Sequence, residues 1–414
     1  MILSRKRILN SCIFLVAMVC IFLYPKFFDY ARSDVYASIR LIFRYLPYTL
    51  FPAIIILCWN GNKEAHKLYY LVIAFRASFL FSDMINGIDQ VTFSLWIRCT
   101  MWILVAVVLF CTAIHYNPLR TLKLTRAICN IMLVVNIICE FLFPRGLARI
   151  EMLNYEYNVI SWSDNVGFID VGNRLSLFII LTFFVNMLYQ YKVRGKIENY
   201  FFVVLIGVNT LLAQSASGFC ALIVLLLYLF FAQVKSFNKL INGYWIFGVY
   251  ALVSSIFVVF QRFGIMQFFI TNILGRSMNL SNRTTIWAYY ISEIIRRPIV
   301  GYGTMESGGL FRWNGQTWYA HNQILDILIQ GGIVALIVVI VLIVLVKRHN
   351  RKNEVIVSGL FSICLLAYLV VGMAEHFLVN LNVCFYIFLA IAYSSNKIFE
   401  KTSISENGGN EKCL

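Results

Sequence analysis

The feature that most constrains the fold of this chain is a series of apolar segments that recurs along nearly its whole length. Each segment is close to the roughly twenty residues that an α-helix needs to cross the hydrocarbon core of a bilayer. We predict twelve transmembrane helices, at residues 8–24, 41–58, 68–85, 94–114, 127–143, 175–191, 200–214, 219–234, 241–260, 323–346, 355–373 and 377–393. The expected fold class is therefore an all-α, polytopic integral membrane protein, with residues 1–393 forming a single membrane domain.

Composition agrees with a membrane protein and argues against a nucleic-acid binder. Hydrophobic residues make up 60% of the chain, whereas soluble domains contain roughly 45–50%. The net charge of +16 comes from basic residues spread through short loops between apolar segments. Such loops are typical of proteins whose orientation is set by positive charge on the cytoplasmic side.

The distribution of basic residues predicts the orientation. If both termini are cytoplasmic, the cytoplasmic segments hold more than half of the 35 lysines and arginines, as the positive-inside rule requires. This orientation places two long loops, residues 144–174 and 261–322, outside the membrane. The polar tail at 394–414 is expected to be cytoplasmic and disordered.

The basic residues of the two long outer loops have no role in topology, and all of them are arginines. A planar guanidinium group forms paired hydrogen bonds to phosphate better than a lysine does. We expect them to bind a phosphate or pyrophosphate, while contact with lipid headgroups is the alternative. They are Arg145, Arg149, Arg174, Arg262, Arg276, Arg283, Arg296, Arg297 and Arg312.

The second outer loop contains the strongest candidate site. Apolar residues at helical spacing after Ser281 or Asn282 predict a short helix on the membrane surface, which Pro298 ends. Arg283 in its first turn can bind an anion together with free backbone amides. His321 stands just before a long apolar segment, where it can act as a general base or as a hydrogen-bonded interface residue.

Three motifs in this loop resemble the O-antigen ligase and polymerase superfamily of bacterial membrane glycosyltransferases. They are SNRTTIW at 281–287, RRPIVGYG at 296–303 and HNQILDILIQGGIVA at 321–335. The resemblance implies a GT-C-like fold with an inverting transfer, and it carries a substrate-binding role to Arg174 and Arg149 in the first outer loop. In the ligase signature the last position is Gly, Thr or Tyr. Here it is Ala335, which favours a polymerase.

The chemistry that we predict needs no metal and no cofactor. The sequence has no Walker motif, no Asp-x-Asp and no HExxH, so the energy must come with the substrate. A glycan linked to undecaprenyl pyrophosphate supplies it. The expected catalytic residues are His321 as base with Arg283 and Arg174 on the pyrophosphate, and the expected substrate-binding residues are Asn322, Arg149, Arg276 and Arg297.

The predicted enzyme is thus a polysaccharide polymerase that joins lipid-linked repeat units of O-antigen, capsule or exopolysaccharide. The alternatives are a ligase that uses a terminal acceptor and a transporter, or flippase, of the lipid-linked unit. We expect the protein in the bacterial cytoplasmic (inner) membrane. A chain-length regulator and a flippase are the expected protein partners, and no nucleic acid is expected.

Overall fold

The computed structural model describes residues 8, 11–30, 34–87, 90–154, 159–259, 283–305, 309–313, 316–378 and 382–400. Helices dominate this part of the chain. They are α1 (Cys12–Phe22), α2 (Phe27–Tyr30), α3 (Asp34–Cys58), α4 (His66–Asn86), α5 (Gln90–Tyr116), α6 (Pro118–Leu142), α7 (Gly172–Arg194), α8 (Tyr200–Leu212), α9 (Ala216–Phe231), α10 (Lys235–Ile241), α11 (Trp245–Val259), α12 (Arg283–Arg296), α13 (Gln323–Asn350), α14 (Val355–Gly372), α15 (Cys384–Tyr393) and α16 (Ser395–Phe399). Two 3-10 helices, Trp59–Gly61 and Lys63–Ala65, join α3 to α4.

Each of the twelve segments predicted to cross the membrane contains a helix. Among the described residues, six helices are long and apolar enough to span a bilayer: Lys63–Asn86, Thr92–Tyr116, Pro118–Leu142, Gly172–Arg194, Gln323–Asn350 and Val355–Gly372. Shorter apolar helices are Tyr200–Leu212, Ala216–Phe231, Trp245–Ile256 and Cys384–Tyr393. The chain is a mostly helical, polytopic membrane protein, and the number of twelve spans stays a prediction.

The centre of the bundle consists of helices that are apolar on every side. In α7, α14 and α15 nearly every side chain is buried, as expected for helices surrounded by other helices. Outer helices instead expose large apolar side chains, including Ile56, Phe141, Tyr200 and Phe230. Apolar surface of this extent indicates contact with lipid.

Two β-hairpins correct the all-α prediction. β1 (Ala148–Asn154) pairs antiparallel with β2 (Val159–Val166), and β3 (Phe311–Trp313) pairs with β4 (Gln316–Trp318). Both hairpins lie in the two loops predicted to be long. A search for helix-length apolar segments misses strands this short, although the alternation of Arg149 and Glu151 with Ile150 and Met152 favours a strand.

The predicted disordered tail starts in an ordered segment. Residues 395–399 form α16, and the Ser395 hydroxyl accepts hydrogen bonds from Asn350 at 3.0 Å and from Asn353 at 2.7 Å. These bonds tie α16 to the end of α13. Residues 401–414 lie outside the described part of the chain.

Helix α13 is kinked at Gly332, which has a φ of 62° and a ψ of −164°. This conformation is essentially restricted to glycine. The kink frees two carbonyls and two amides of α13, and residues 298–303, which we call the clamp, bind all four. The bonds are Tyr302 N to Ile329 O (2.7 Å), Gly303 N to Gln330 O (2.8 Å), Ile333 N to Pro298 O (2.9 Å) and Val334 N to Ile299 O (3.4 Å).

The clamp is also fixed to the end of α4. Asn86 donates to the carbonyl of Gly301 at 3.1 Å, and Asp83 accepts from the amide and, at 2.8 Å, from the hydroxyl of Thr304. Gly303 lies against Asp83 with no room for a Cβ atom. The chain that leads from α12 to the His321 region is therefore held by two helices.

Helix α12 confirms the predicted helix before Pro298, but its apolar face packs on protein. Trp287 and Tyr290 are fully buried, together with Ile286, against Ala320, Leu325 and Ile329. A face covered by protein is not available to the membrane surface, which corrects that part of the prediction. Ser281 and Asn282, the predicted caps, lie outside the described residues.

Candidate active site

His321 is presented by a tight turn at the start of α13. Asn322 caps this helix, because its side-chain oxygen accepts from the amides of Ile324 (3.1 Å) and Leu325 (3.2 Å). His321 itself has a φ of 46°, an uncommon left-handed conformation that indicates strain at a special position. The indole of Trp287 donates to the carbonyl of Ala320 at 2.7 Å, which fixes the residue before it.

The same helix start organises the turn that follows α14. The Gln323 side chain accepts from the amides of Phe377 (2.7 Å) and Leu378 (2.9 Å), and Asn322 donates to the carbonyl of Met373 at 3.3 Å. These bonds satisfy buried backbone groups that a non-helical segment would otherwise leave unpaired. They bring the turn residues Glu375 and His376 beside His321.

His321, Glu375 and His376 form a compact buried cluster. Their nitrogen and oxygen atoms lie within 4.8 Å of one another. His376 Nδ1 is 3.6 Å from Glu375 Oε1 and 3.6 Å from Asp326 Oδ2. The two imidazole rings are 5.8 Å apart, and the Tyr319 ring lies 4.5 Å from that of His376.

The histidines of this cluster have unused hydrogen-bonding capacity. Within the described structure, His321 Nδ1 and both ring nitrogens of His376 are buried without a hydrogen-bond partner. Buried polar atoms are nearly always paired, so unpaired ones require an explanation. A ligand that binds here would supply the missing partners.

Arg174 reaches the cluster from the first turn of α7. The preceding residue, Asn173, accepts from the hydroxyls of Ser215 (2.6 Å), which caps α9, and Ser217 (2.9 Å), in the first turn of α9. This pair of bonds anchors the start of α7. Arg174 then donates to the hydroxyl of Tyr30 at 3.1 Å, and its charge interacts with Glu375.

The basic side chains around Glu375 favour its charged form. Burial alone would raise its pKa, but His376, Arg174, His321 and Arg283 together lower the pKa to about 2. Arg283 is the first residue of α12. The structure thus brings together around Glu375 the three residues that the sequence predicted as catalytic, from α7, α12 and the start of α13.

The charge of His321 responds to the same surroundings. Burial lowers its pKa to about 3, and Arg283, His376 and Arg174 add to this lowering, whereas Glu375 opposes it. His321 is therefore neutral at physiological pH and can accept a proton. With so low a pKa, His321 is a weak base before substrate binds, since an efficient general base has a pKa near the working pH.

The cluster contains ligand types that a metal ion accepts, namely two histidines and a carboxylate. The charges of Arg174 and Arg283, however, act on the same atoms. Two guanidinium groups repel a divalent cation and attract an anion. The electrostatics of the site therefore favour a phosphate-type ligand.

Asn322, Arg297 and Arg149, which were also predicted to bind substrate, lie outside this cluster. Asn322 uses its side chain on backbone groups. Arg297 contacts Asn86 and lies 4.7 Å over the Tyr302 ring, beside the clamp. Arg149 is exposed on β1, and Arg276 lies outside the described residues. Their roles in binding stay predictions.

Glu375 and His376 belong to the site, but sequence reasoning did not identify them. The signal that could have included them is a Glu-His pair at the end of an apolar segment, where ionisable residues are costly and usually functional. No spacing rule relates that pair to His321, because the two are joined only through the Gln323 and Asn322 contacts.

The fold and the site define a polytopic membrane protein with a buried, arginine-lined histidine site. Residues 201–340 match the family described as O-antigen ligase, a range that includes α12, the clamp and His321. A Rickettsia conorii protein provisionally described as a polysaccharide ligase is 25% identical over 116 residues, covering 25% of this chain and 28% of that relative. These matches support the O-antigen ligase-like superfamily and confirm the resemblance predicted from the motifs.

Proposed function

We propose that this protein transfers a glycan from a polyprenyl-pyrophosphate carrier to a hydroxyl group of an acceptor. The observation that carries the proposal is that His321 and Glu375 lie in one cluster, with ligand atoms within 4.8 Å of each other, and that the charges of Arg174 and Arg283 act on both. A site of this kind combines anion binding with a neutral imidazole. Both are required when a pyrophosphate leaves and a hydroxyl attacks.

In the proposed reaction, the acceptor oxygen attacks the anomeric carbon of the donor sugar. A carbon–oxygen bond forms there as the bond from that carbon to the pyrophosphate breaks, and its electron pair leaves with the pyrophosphate. Direct displacement inverts the anomeric configuration. Arg174 and Arg283 stabilise the charge that develops on the leaving group.

His321 takes the proton of the attacking hydroxyl. General bases contribute typically about a hundred- to ten-thousand-fold to rate. Because the leaving group is already stable, no divalent metal is needed to activate it. Asn322 has a positioning role as helix cap, while Arg149, Arg276 and Arg297 are proposed to contact the glycan or its carrier.

Two candidate forms of this enzyme differ in the acceptor that they use. A polymerase uses another lipid-linked repeat unit, and Ala335 at the end of the signature favours that form. Ala335 is fully buried and packs against Gly331 within α13, so it does not contact an acceptor. The descriptions of the matched family and relative favour the second candidate, a ligase that uses a terminal acceptor.

A transporter of the lipid-linked unit is the remaining rival. Transporters place their binding residues near the middle of the membrane, often between repeated halves. Here the unpaired histidines lie at helix ends and in a turn, beside loop segments. This location supports catalysis at a membrane surface. From the distribution of basic residues we propose that this surface is the outer face of the cytoplasmic membrane, and we propose a flippase and a chain-length regulator as partners.

The decisive experiment is to replace His321 by alanine and to follow the lipid-linked repeat unit in cells. We expect single units to accumulate on the outer leaflet, accessible to added glycosidase, with no long polymer or ligated product. His349→Ala, at the opposite end of α13, is the control and should leave product unchanged. Units that remain on the cytoplasmic leaflet would indicate a transporter, and unchanged product would remove His321 from the mechanism.

A further inference from the structure

Glu375 is the least expected member of the site, because a carboxylate repels the phosphate groups that the arginines would bind. It is buried, 7% exposed, and two cationic side chains act on it from different helices. An anion at this point would be an obstacle to substrate if its only effect were repulsion. Its position beside His321 suggests a second use.

We propose that Glu375 is the counter-ion of Arg174 and Arg283 before the donor binds. Once the donor pyrophosphate binds those arginines, Glu375 becomes the positioning partner of His321. The inference rests on the proposed function. It assigns to Glu375 a role in the reaction without contact with the sugar. It also assigns an order, in which the donor prepares the base for the acceptor.

The charge around His321 before the donor binds comes from groups on several elements. The groups that face it are Arg283 from α12, Arg174 from α7, Glu375 and His376 from the turn after α14, and Asp326 by way of His376. The two arginines and burial oppose a positive imidazole, while Glu375 alone among the groups that act on His321 favours one. Before the donor binds, His321 is therefore neutral and a weak base.

An anionic donor changes the charge around His321. A pyrophosphate carries more negative charge than the carboxylate whose place it takes at the arginines. An anion close to an imidazole favours its protonated form. Once the arginines are neutralised by the donor, Glu375 acts on His321 without their opposition, and His321 becomes a stronger base at the moment when the acceptor hydroxyl must lose its proton.

The geometry of the cluster favours this change. The atoms of His321, Glu375 and His376 already lie within 4.8 Å of one another, so only small side-chain shifts are required. His376 Nδ1 stands 3.6 Å from both Glu375 and Asp326. It therefore lies between the two carboxylates, beside Glu375. The proton that His321 gains is stabilised by Glu375 and passes to water after the product leaves.

The test compares Glu375→Gln with Glu375→Asp in purified protein. The glutamine variant removes the charge, so binding of inorganic pyrophosphate should tighten by about fivefold or more, since fivefold is the upper range for an exposed ion pair and Glu375 is buried. Turnover should fall by about tenfold or more, yet less than in His321→Ala. The pH at which turnover reaches half its maximum should move down, because His321 loses the anion that raises its pKa.

The aspartate variant keeps the charge and should retain the wild-type pH midpoint with reduced turnover. Glu293→Gln is the matched control, since Glu293 pairs with Arg296 at 2.8 Å beside the clamp, and it should leave the midpoint in place. A structural role for Glu375 predicts equal losses in both variants with no change of midpoint. Weaker pyrophosphate binding in Glu375→Gln would also overturn the proposal. If His321→Ala is inactive while Glu375→Gln behaves as wild type, this inference fails and the proposed function stands; if His321→Ala is active, the proposed function fails.

Discussion

The kink at Gly332 gives a prediction whose size follows from counted hydrogen bonds. Gly332→Ala places a Cβ atom within contact of the Ile299 carbonyl, in a backbone conformation that costs any other residue about 1–3 kcal/mol. If α13 straightens instead, it recovers two helical hydrogen bonds and loses the four that join it to the clamp. Two bonds are then lost, at about 0.5–1.5 kcal/mol each.

Either response costs about 1–3 kcal/mol, which raises the population of the detached clamp by about 5- to 150-fold. Cleavage by a protease tracks the open population when opening is fast. The assay is therefore limited proteolysis of the purified protein in detergent, with a protease that cuts beside large apolar residues such as Ile299 and Val300. Cleavage of the clamp should increase in Gly332→Ala protein, and glycan transfer should fall, because the clamp leads to His321.

Gly248→Ala is the control, because a Cβ atom at Gly248 in α11 meets nothing within 4 Å. Alanine there improves helix propensity and should leave proteolysis of the clamp unchanged. If Gly332→Ala protein is cut at the control rate and transfers glycan normally, the kinked joint is not what holds the clamp, and the reasoning is wrong.

Four further predictions concern the site and its surroundings. Replacement of Arg174 or Arg283 by lysine should restore only part of the transfer lost in the alanine variants, because lysine lacks the planar fork that binds phosphate; equal activity of Lys and Arg proteins would argue against paired phosphate contacts. Asn322→Ala should destabilise the start of α13 by about 0.5–2 kcal/mol and reduce transfer, whereas Asn322→Asp should retain the cap; thermal unfolding and activity measured on both variants test this, and a stable, active alanine variant would contradict it. Transfer by purified protein should persist in excess chelator, and loss that only magnesium restores would refute a metal-free mechanism. Cysteine labelling from outside should reach positions near 160 and 310 but not near 195 and 350, and the opposite pattern would put the site on the cytoplasmic side.

Much of the helical framework was predictable because burial in lipid requires long apolar segments. The segment 175–191 lies within α7, and 323–346 lies within α13, since each is an apolar run of membrane length, although Gly332 kinks α13. The short segments were less well defined. Residues 377–393 were predicted as one helix, but among the described residues of this segment only 384–393 are helical, because Gln323 binds the backbone of residues 377 and 378 in a non-helical turn.

The site was predictable in its arginines and in His321, because unusual charges in outer loops and a recognisable motif point to them. Their convergence was not predictable. Arg174 meets Glu375 through the packing of α7 near α14, and Gly332 can kink only because Pro298 to Gly303 lie alongside. Such long-range contacts leave no periodic pattern in one sequence. Glu375 was therefore not predicted as a site residue, because only the folded chain brings its turn beside His321.

The segment between the clamp and α13 is fastened at its two ends and, at the base of the β3–β4 hairpin, by the Tyr290 hydroxyl, which accepts from the amide of Leu310 (2.9 Å) and donates to the carbonyl of Trp318 (2.7 Å). Asp83 holds Thr304 at one end, and Trp287 holds Ala320 at the other. The cost of closing a loop rises only slowly with its length, so insertions or exchanges within the β3–β4 hairpin should leave His321 where it is. The hairpin can therefore vary in length or sequence, and so change the surface beside the site, without displacing the histidine.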